Sequence, residues 1–356
     1  MKGDFFMSLI HIPQSKWGSG TGRQVILKSD FDKVERAVLE AFDLAYCPDL
    51  QWVDATQVKL PATADCKARV MLCGFPSPLH RGLFVDGDLS DGKYREVSAD
   101  AVMDFDTPSN LWGAEKASQW YAVYALAAAA DTTFTLKTMP VMRFSSQVGQ
   151  VITLRNNGNS GDIGYGLVTN ELANAKLLVL SGASKGLVRL ITANNNDNGT
   201  GGTLTYSGTA LTLAQGDWLM VLPNTNFRYL GMIFNDAGSN LVRFYKDGPK
   251  IVWNTFIEIA AGAINGYTAK DLGLMVPPTA RRLLGDAVAT AGSDVKLGIS
   301  YDGTNPALVI NVPPPAAFQS IRGAVPFECH LLDGNKIYLN NENTANQSVR
   351  AVGWEE

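Results

Sequence analysis

Residues 188–222 read VRLITANNNDNGTGGTLTYSGTALTLAQGDWLMVL, and this stretch decides the fold class. Residues 188–192 are mostly aliphatic or β-branched, and apolar residues alternate with threonine in 203–206 and 210–213. β-branched residues favour strands, and a period of two is typical of a strand with one buried face. Asparagine, aspartate and glycine fill the intervening segments and tolerate the backbone conformations of tight turns. The stretch therefore predicts four short strands, the last of them the apolar run 218–222.

The same pattern of strands and turns covers most of the chain, at a spacing of roughly ten residues that is typical of sandwiches and jelly rolls. We therefore predict a mainly β fold of two or three sandwich or barrel modules. The predicted domains are an N-terminal docking domain at 1–145, a small barrel or sandwich at 146–224 and a jelly-roll-like sandwich at 225–356. Within the last domain, separate strands are predicted at 250–254 and 256–260.

One amphipathic helix is predicted near the N-terminus, over residues 29–47. Ser29 can cap its first turn, with Asp32 at the spacing of a capping box. Pro48 disfavours the helical conformation at the preceding residue, so the helix ends there. Its apolar face can pack on the domain's own sheet or against the same helix in neighbouring copies. The residues of that face are Phe31, Val34, Val38, Ala41, Phe42 and Ala45.

Composition and charge argue against several classes of partner. The chain has 356 residues, 46% of them hydrophobic, and a net charge of −4. Nucleic-acid binding needs a dense basic face, whereas the longest Lys/Arg run is Arg281 and Arg282, so no nucleic-acid partner is expected. No segment reaches the roughly 18 apolar residues of a membrane span, so no membrane insertion is expected. Lys2 is followed by Asp4 without a long apolar core, so we expect no cleaved signal peptide.

The cysteines fit neither a disulfide framework nor a zinc knuckle. Their positions favour free buried thiols and a reducing compartment. Cys66, Cys73 and His80 share a spacing of seven, but intervening glycine and proline residues break the helix that would align them. The four cysteines are Cys47, Cys66, Cys73 and Cys329.

Motifs that indicate catalysis or metal binding are weak. Asp104 and Asp106 could form a carboxylate pair for glycan hydrolysis, but a loop role is the plainer interpretation. The acidic turn 86–92 lacks the glycine and glutamate of an EF-hand, which favours a solvated hairpin tip. Cys329 and His330 are adjacent, so alternate strand faces would point them apart. The GxSxG, HExxH and P-loop motifs are absent. We therefore predict no enzymatic activity, no cofactor and no metal.

Aromatic residues beside turns are the candidates for contact with sugars. Most tryptophans and tyrosines of the chain are better explained as core residues, because they bury a large apolar area. Trp112 and Tyr206 stand next to turn residues, so we expect these two rings at the surface as glycan contacts.

Four segments of the chain resemble virion proteins of tailed bacteriophages and prophages, of the tail-fibre-like or virion structural kind. They are LCGFPSPLHRG at 72–82, FDTPSNLWGAEKASQWYAVYALA at 105–127, NTNFRYLGMIFND at 224–236 and the closing VRAVGWEE at 349–356. The resemblance implies a protein made in the host bacterial cytoplasm, released by lysis and assembled on the virion with other virion proteins. It also implies several copies, with a homotrimer as the common state. The long repetitive shaft of a fibre has no counterpart here, which leaves a collar, baseplate or decoration protein open.

Three functions are consistent with these observations. The first is a structural virion component whose N-terminal part docks on the particle and whose β modules bind neighbouring copies. The second is a receptor-binding protein whose C-terminal sandwich contacts host surface glycans. The third is a polysaccharide depolymerase, which would need acidic residues clustered in a groove.

Overall fold

A computed structural model describes residues 49–62, 68–72, 94–155, 165–195, 202–289, 295–312, 323–333, 335–341 and 347–356. All of them belong to one compact unit of the chain, Asp43–Glu356. The helix predicted at 29–47 lies outside the described residues.

The described residues are mainly β, as predicted, and build sandwich-like and barrel-like modules. One short 3-10 helix, Pro108–Asn110, accompanies the strands in this part of the chain. In chain order the strands are β1 Gln51–Trp52, β2 Gln57–Leu60, β3 Ala68–Met71, β4 Tyr94–Val97, β5 Ala101–Asp104, β6 Gln119–Ala127, β7 Thr135–Pro140, β8 Met142–Val148, β9 Val151–Arg155, β10 Lys176–Val179, β11 Val188–Asn194, β12 Thr203–Tyr206, β13 Trp218–Leu222, β14 Asn226–Asn235, β15 Phe244–Asp247, β16 Lys250–Ala261, β17 Ile264–Asp271, β18 Arg282–Ala289, β19 Val295–Ser300, β20 Leu308–Val312, β21 Gly323–His330, β22 Lys336–Asn341 and β23 Gln347–Glu355.

Three of the four strands predicted in the stretch 188–222 are present, as β11, β12 and β13. The fourth prediction, a strand at 210–213, is wrong. There the backbone amides bond to side chains instead of a neighbouring strand. The amide of Leu211 donates to the Tyr206 hydroxyl at 2.9 Å, and the amide of Thr212 donates to Ser184 Oγ at 2.8 Å.

Strands β8 to β13 close into a six-stranded barrel in the order β10-β11-β12-β9-β8-β13. Alternate side chains such as Ile152, Leu154 and Leu204 are fully buried, so the period of two in these strands fills the barrel. Asp217 connects the loops at one end of the barrel. Its carboxylate accepts hydrogen bonds from Ser181 Oγ at 3.1 Å and from the amide of Ala214 at 2.7 Å.

The buried centre of the unit is β6, in which all nine residues are buried. It lies between β14 and β7 in a three-stranded sheet, so the pairing of β6 with β14 joins segments about a hundred residues apart. This one sheet therefore holds strands from both sides of 145 and 224. The division of the chain at those positions remains a prediction.

Two larger sheets contain most of the remaining strands. The five-stranded sheet has the order β15-β16-β23-β18-β21, and the four-stranded sheet has the order β17-β22-β19-β20. The inner side chains of β16 and β23 include Trp253 and Trp354, which are buried. Their rings meet Trp120 of β6, with centroid separations of 5.9 Å and 5.5 Å, so an indole cluster joins the five-stranded sheet to the β6 sheet.

Candidate interaction surface

Trp112 lies in the loop after the 3-10 helix and is half-buried. Its amide donates to the carbonyl of Thr138 at 3.0 Å, and the Lys137 ammonium lies 4.3 Å from the ring centroid. Burial lowers the pKa of Lys137, and the carboxylate of Glu171 acts in the opposite direction. That carboxylate also accepts from the amide of Gly113 at 3.2 Å. A ring, a cation and a carboxylate are therefore gathered at this loop.

Tyr206 is not at the surface, so that expectation was wrong. Its side chain is 2% exposed and points into the barrel, because tyrosine and leucine take the inward positions of β12. Its hydroxyl accepts from Gln147 Nε2 at 2.9 Å as well as from the amide of Leu211. The neighbouring turn indicated exposure, but the ring belongs to the strand that precedes the turn. A glycan contact at Tyr206 is excluded by this burial, and one at Trp112 remains a prediction.

The other titratable groups considered in the sequence have structural surroundings. Asp104 accepts from Gln57 Nε2 at 2.8 Å and from the amide of Asp106 at 2.9 Å, which stabilises a turn. Cys329 is buried while His330 is exposed, and burial raises the pKa of the Cys329 thiol to about 12. Cys66, Cys73, His80 and the acidic turn 86–92 lie outside the described residues.

Among the residues that the structure describes, no group of three or more His, Cys, Asp or Glu side chains could hold a metal ion. Within the same part of the chain, no helix is long and apolar enough to cross a membrane.

A cleft of about 750 Å³ lies between β4 and the turn that joins β6 to β7. Arg95 lines it, and its guanidinium donates to the backbone carbonyls of Ala128 and Ala129 at 3.3 Å and 3.4 Å. The carboxylate of Asp131 accepts from the Ala128 amide at 2.8 Å. These contacts hold the turn in place.

The solvent-facing side of the five-stranded sheet, called here the outer face, has a row of alternating charges. Lys250, Glu355 and Arg282 are direct partners on β16, β23 and β18. On β21 the partner of Arg282 is His330, and Glu328 lies two residues away, opposite Leu284. Lys250 Nζ lies 2.7 Å from Glu328 Oε1, and Arg282 lies 3.6 Å from Glu328 and 3.4 Å from Glu355. The hydrogen bond between Lys250 and Glu328 raises the pKa of the ammonium and lowers the pKa of the carboxyl. We call these four residues the charged row.

Next to the charged row lies an apolar row. Tyr245, Val252, Gly353 and Leu284 are successive cross-strand partners on β15, β16, β23 and β18. Tyr245 is 53% exposed and Val252 is 40% exposed. A Cβ atom at Gly353 would lie 3.0 Å from Val252 Cα, so glycine permits the two strands to approach closely. The apolar row therefore exposes the side chains of Tyr245 and Val252, whereas Gly353 and Leu284 are buried.

Arginine side chains stack on aromatic rings along the same face. The Arg243 guanidinium lies 5.1 Å from the Trp52 ring centroid and 5.3 Å from that of Tyr245. Further along the sheet, Arg350 lies 3.8 Å from the ring centroid of Phe256, which is 51% exposed. Stacked arginine and exposed aromatic side chains are typical of the energetically important residues of protein interfaces.

The position of Phe256 follows from a bulge that the sequence only partly indicated. Strands were predicted at 250–254 and 256–260, whereas the structure has one strand, β16, with irregular pairing between Val252 and Ile257. The extra residues of this bulge do not pair with β23, and Asn254, Thr255 and Phe256 are exposed. The break between the two predicted strands was the feature of the sequence that indicated this bulge.

The outer face combines exposed apolar side chains, stacked cations and charges of both signs, which suits recognition of another protein surface. Its apolar part is larger than a single exposed side chain and is flanked by polar residues, as at association sites. Comparison of the chain with protein-family models, with curated proteins and with solved structures finds no match.

Proposed function

We propose that this protein is a structural component of a tailed-phage particle, in which its β modules bind other copies of the chain and other virion proteins. In this proposal it is made in the host bacterial cytoplasm and resides on the virion as a tail-fibre, collar, baseplate or decoration protein. The observation that carries the proposal is the outer face, where Tyr245, Val252 and Phe256 are exposed. The resemblance of four segments to virion proteins and the mainly β fold support it.

Two measurements test the proposal. The first is the mass of the purified chain by light scattering at micromolar concentration. We expect a complex of several copies, with three as the number that the resemblance implies, and a stable monomer would contradict self-assembly. The second is peptide mass spectrometry of purified particles from the producing host. The chain should co-purify in a constant ratio to the major capsid protein, and its absence from intact particles would contradict the virion assignment.

A second candidate function is glycan binding, and the surroundings of Trp112 favour it. A half-exposed indole can stack on a sugar ring, while Lys137 and Glu171 can bond to hydroxyl groups. Titration calorimetry with host surface polysaccharide should show binding that Trp112→Ala abolishes. Tyr206→Phe is the matched control, because Tyr206 is buried and cannot contact a glycan. Equal binding by wild type and Trp112→Ala would remove this function.

A further inference from the structure

Strand β20 forms one edge of the four-stranded sheet. Within the described part of the chain, its single strand partner is β19, which pairs with it from Val295 to Ile299. In an antiparallel pair, alternate residues direct their amides and carbonyls to opposite sides of the strand. Every second residue of β20 therefore directs its backbone donor and acceptor away from β19. Such a row of backbone groups is a template for the addition of another strand.

The sequence of β20, LVINV, has no charged residue and no proline. Proteins usually protect an exposed sheet edge with a charged side chain, a proline or a bulge. Among the edge strands of the described sheets that are longer than two residues, β20 alone has no charge. The other edge strands are β3, β4, β5, β7, β14, β15, β17 and β21, and each has at least one charged residue.

The two faces of β20 differ in burial. Ile310 is 6% exposed and belongs to the core, whereas Val309 is 52% exposed and Asn311 is also exposed. Because one face is buried, a slip by one residue would bring Val309 and Asn311 into the core, so the register of β20 on β19 is fixed. The edge is therefore held in an extended form before any partner arrives, which lowers the entropy cost of association.

An uncharged edge of this kind is suited to a copy of itself. Two antiparallel copies of one strand are related by a two-fold axis, which is the isologous arrangement of most dimers. With the axis at Ile310, Val309 of each copy lies opposite Asn311 of the other, so no like charges meet. The adjacent strand has Lys296 beside Asn311. The two lysines would lie about 14 Å apart, three strand spacings, which exceeds the screening length of about 8 Å.

We propose that β20 pairs antiparallel with β20 of a second copy, so that two four-stranded sheets join into one eight-stranded sheet. This inference rests on the proposed function only because the partner is another copy, and it uses a sheet edge instead of the outer face. Five paired residues span about 17 Å, so the interface is small and its affinity is low. Measurements therefore extend to hundreds of micromolar chain.

Charges at the two exposed positions test the contact. The double variant Val309→Lys/Asn311→Lys presents two positive side chains at the edge, and Val309→Glu/Asn311→Glu presents two negative ones. Like charges directly opposite each other on paired strands are destabilising. In sedimentation velocity, we expect the dissociation constant of each double variant alone to rise about 10-fold.

The matched control is Ser146→Lys/Val148→Lys. It places the same two charges at the same spacing on exposed positions of β8, which belongs to the closed barrel and has no free edge. This control should leave the dissociation constant unchanged. Melting temperatures of the variants close to wild type establish that they are folded.

Mixing the two double variants separates a contact between chains from an effect within one chain. In a mixed pair, lysine side chains lie opposite glutamate side chains at both positions. An equimolar mixture of the full-length variants should therefore form dimers with an affinity within a few fold of wild type, or tighter.

Hydrogen exchange of the wild-type chain gives a second measurement that needs no variant. Amides of residues 308–312 should exchange more slowly at hundreds of micromolar than at one micromolar, because pairing protects those that point away from β19. Amides of β17, the opposite edge of the same sheet, should exchange equally at both concentrations.

Each result supports or overturns the pairing. Recovery in the mixture and concentration-dependent protection of β20 support it. Weakened variants that do not recover when mixed overturn it, and so does an assembly that neither double variant weakens or an exchange rate of β20 that is independent of concentration. The proposed structural function survives these three results. A chain that is monomeric at hundreds of micromolar overturns the pairing and the self-assembly of the proposed function together.

Discussion

Substitution of Gly353 by alanine should destabilise the fold through the backbone of the neighbouring strand. The new Cβ would lie 3.0 Å from Val252 Cα and closer still to the carbonyl oxygen of Ile251. Neither atom can move without opening the pairing of β16 with β23, whose register joins Val252 to Gly353. Overpacking costs about 1–3 kcal/mol, and the backbone obstacles place this site at the upper end. Alanine also restricts the unfolded chain, which offsets about 0.4–1 kcal/mol.

We therefore expect Gly353→Ala to lower the free energy of unfolding by about 2 kcal/mol, or the melting temperature by roughly 4–8 °C. The assay is urea unfolding followed by tryptophan fluorescence, together with thermal melting by circular dichroism. Gly285→Ala is the matched control on the same sheet. There the nearest atoms belong to the Phe327 ring, with Cζ the nearest and Cε1 2.8 Å from the new Cβ, and a side chain shifts more readily than strand backbone. A Gly353→Ala protein as stable as wild type, or less affected than Gly285→Ala, would refute the reasoning.

Three further predictions concern buried polar groups. Tyr206→Phe should cost about 1–2 kcal/mol of stability in urea, because it leaves the buried amide of Leu211 without its acceptor. Asp217→Ala should lower the urea midpoint by an amount equivalent to about 1–3 kcal/mol, since two donors at the barrel end lose their acceptor; an unchanged midpoint would contradict this role. Cys329 should resist alkylation in the native state and react after denaturation, as read by peptide mass spectrometry. Because its pKa rises from 9.0 to about 12 on folding, the unfolded chain loses this proton first. The Cys329 contribution to stability should therefore fall as the pH rises from 9 towards 12, and Cys329→Ser should show a weaker fall.

Local patterns of the sequence predicted the strands well where side chains alternate. Residues 203–206 form β12 because their apolar positions match one buried face, and the apolar run 218–222 forms β13, in which all five residues are buried. The prediction of a strand at 210–213 failed for a local reason too. The hydroxyl groups of Tyr206 and Ser184 accept hydrogen bonds from the backbone amides that a β ladder would need. Alternation alone does not show where a backbone amide finds its acceptor.

Pairing over long distances could not be read from the sequence. One of the two partners of β6 is β14, and the closing β23 lies between β16 and β18, so the order of each sheet depends on contacts far apart in the chain. The candidate surface depends on this order, because Lys250, Glu355 and Arg282 become neighbours only when their strands are adjacent. The misplacement of Tyr206 has the same origin, since its burial requires the closed barrel.

The indole cluster formed by Trp120, Trp253 and Trp354 has a practical consequence for dissecting this chain. Trp120 comes from β6, while the other two come from the five-stranded sheet, so each part supplies the apolar cover of the other. A fragment that carries only one partner exposes indole rings to water and should aggregate when expressed alone. Two fragments produced together in one cell should instead associate and restore the fold. Co-expression is therefore the better way to obtain the protein as two fragments. The contacts among the three indole rings also provide an intrinsic near-ultraviolet signal that reports the association of the two fragments without an added label.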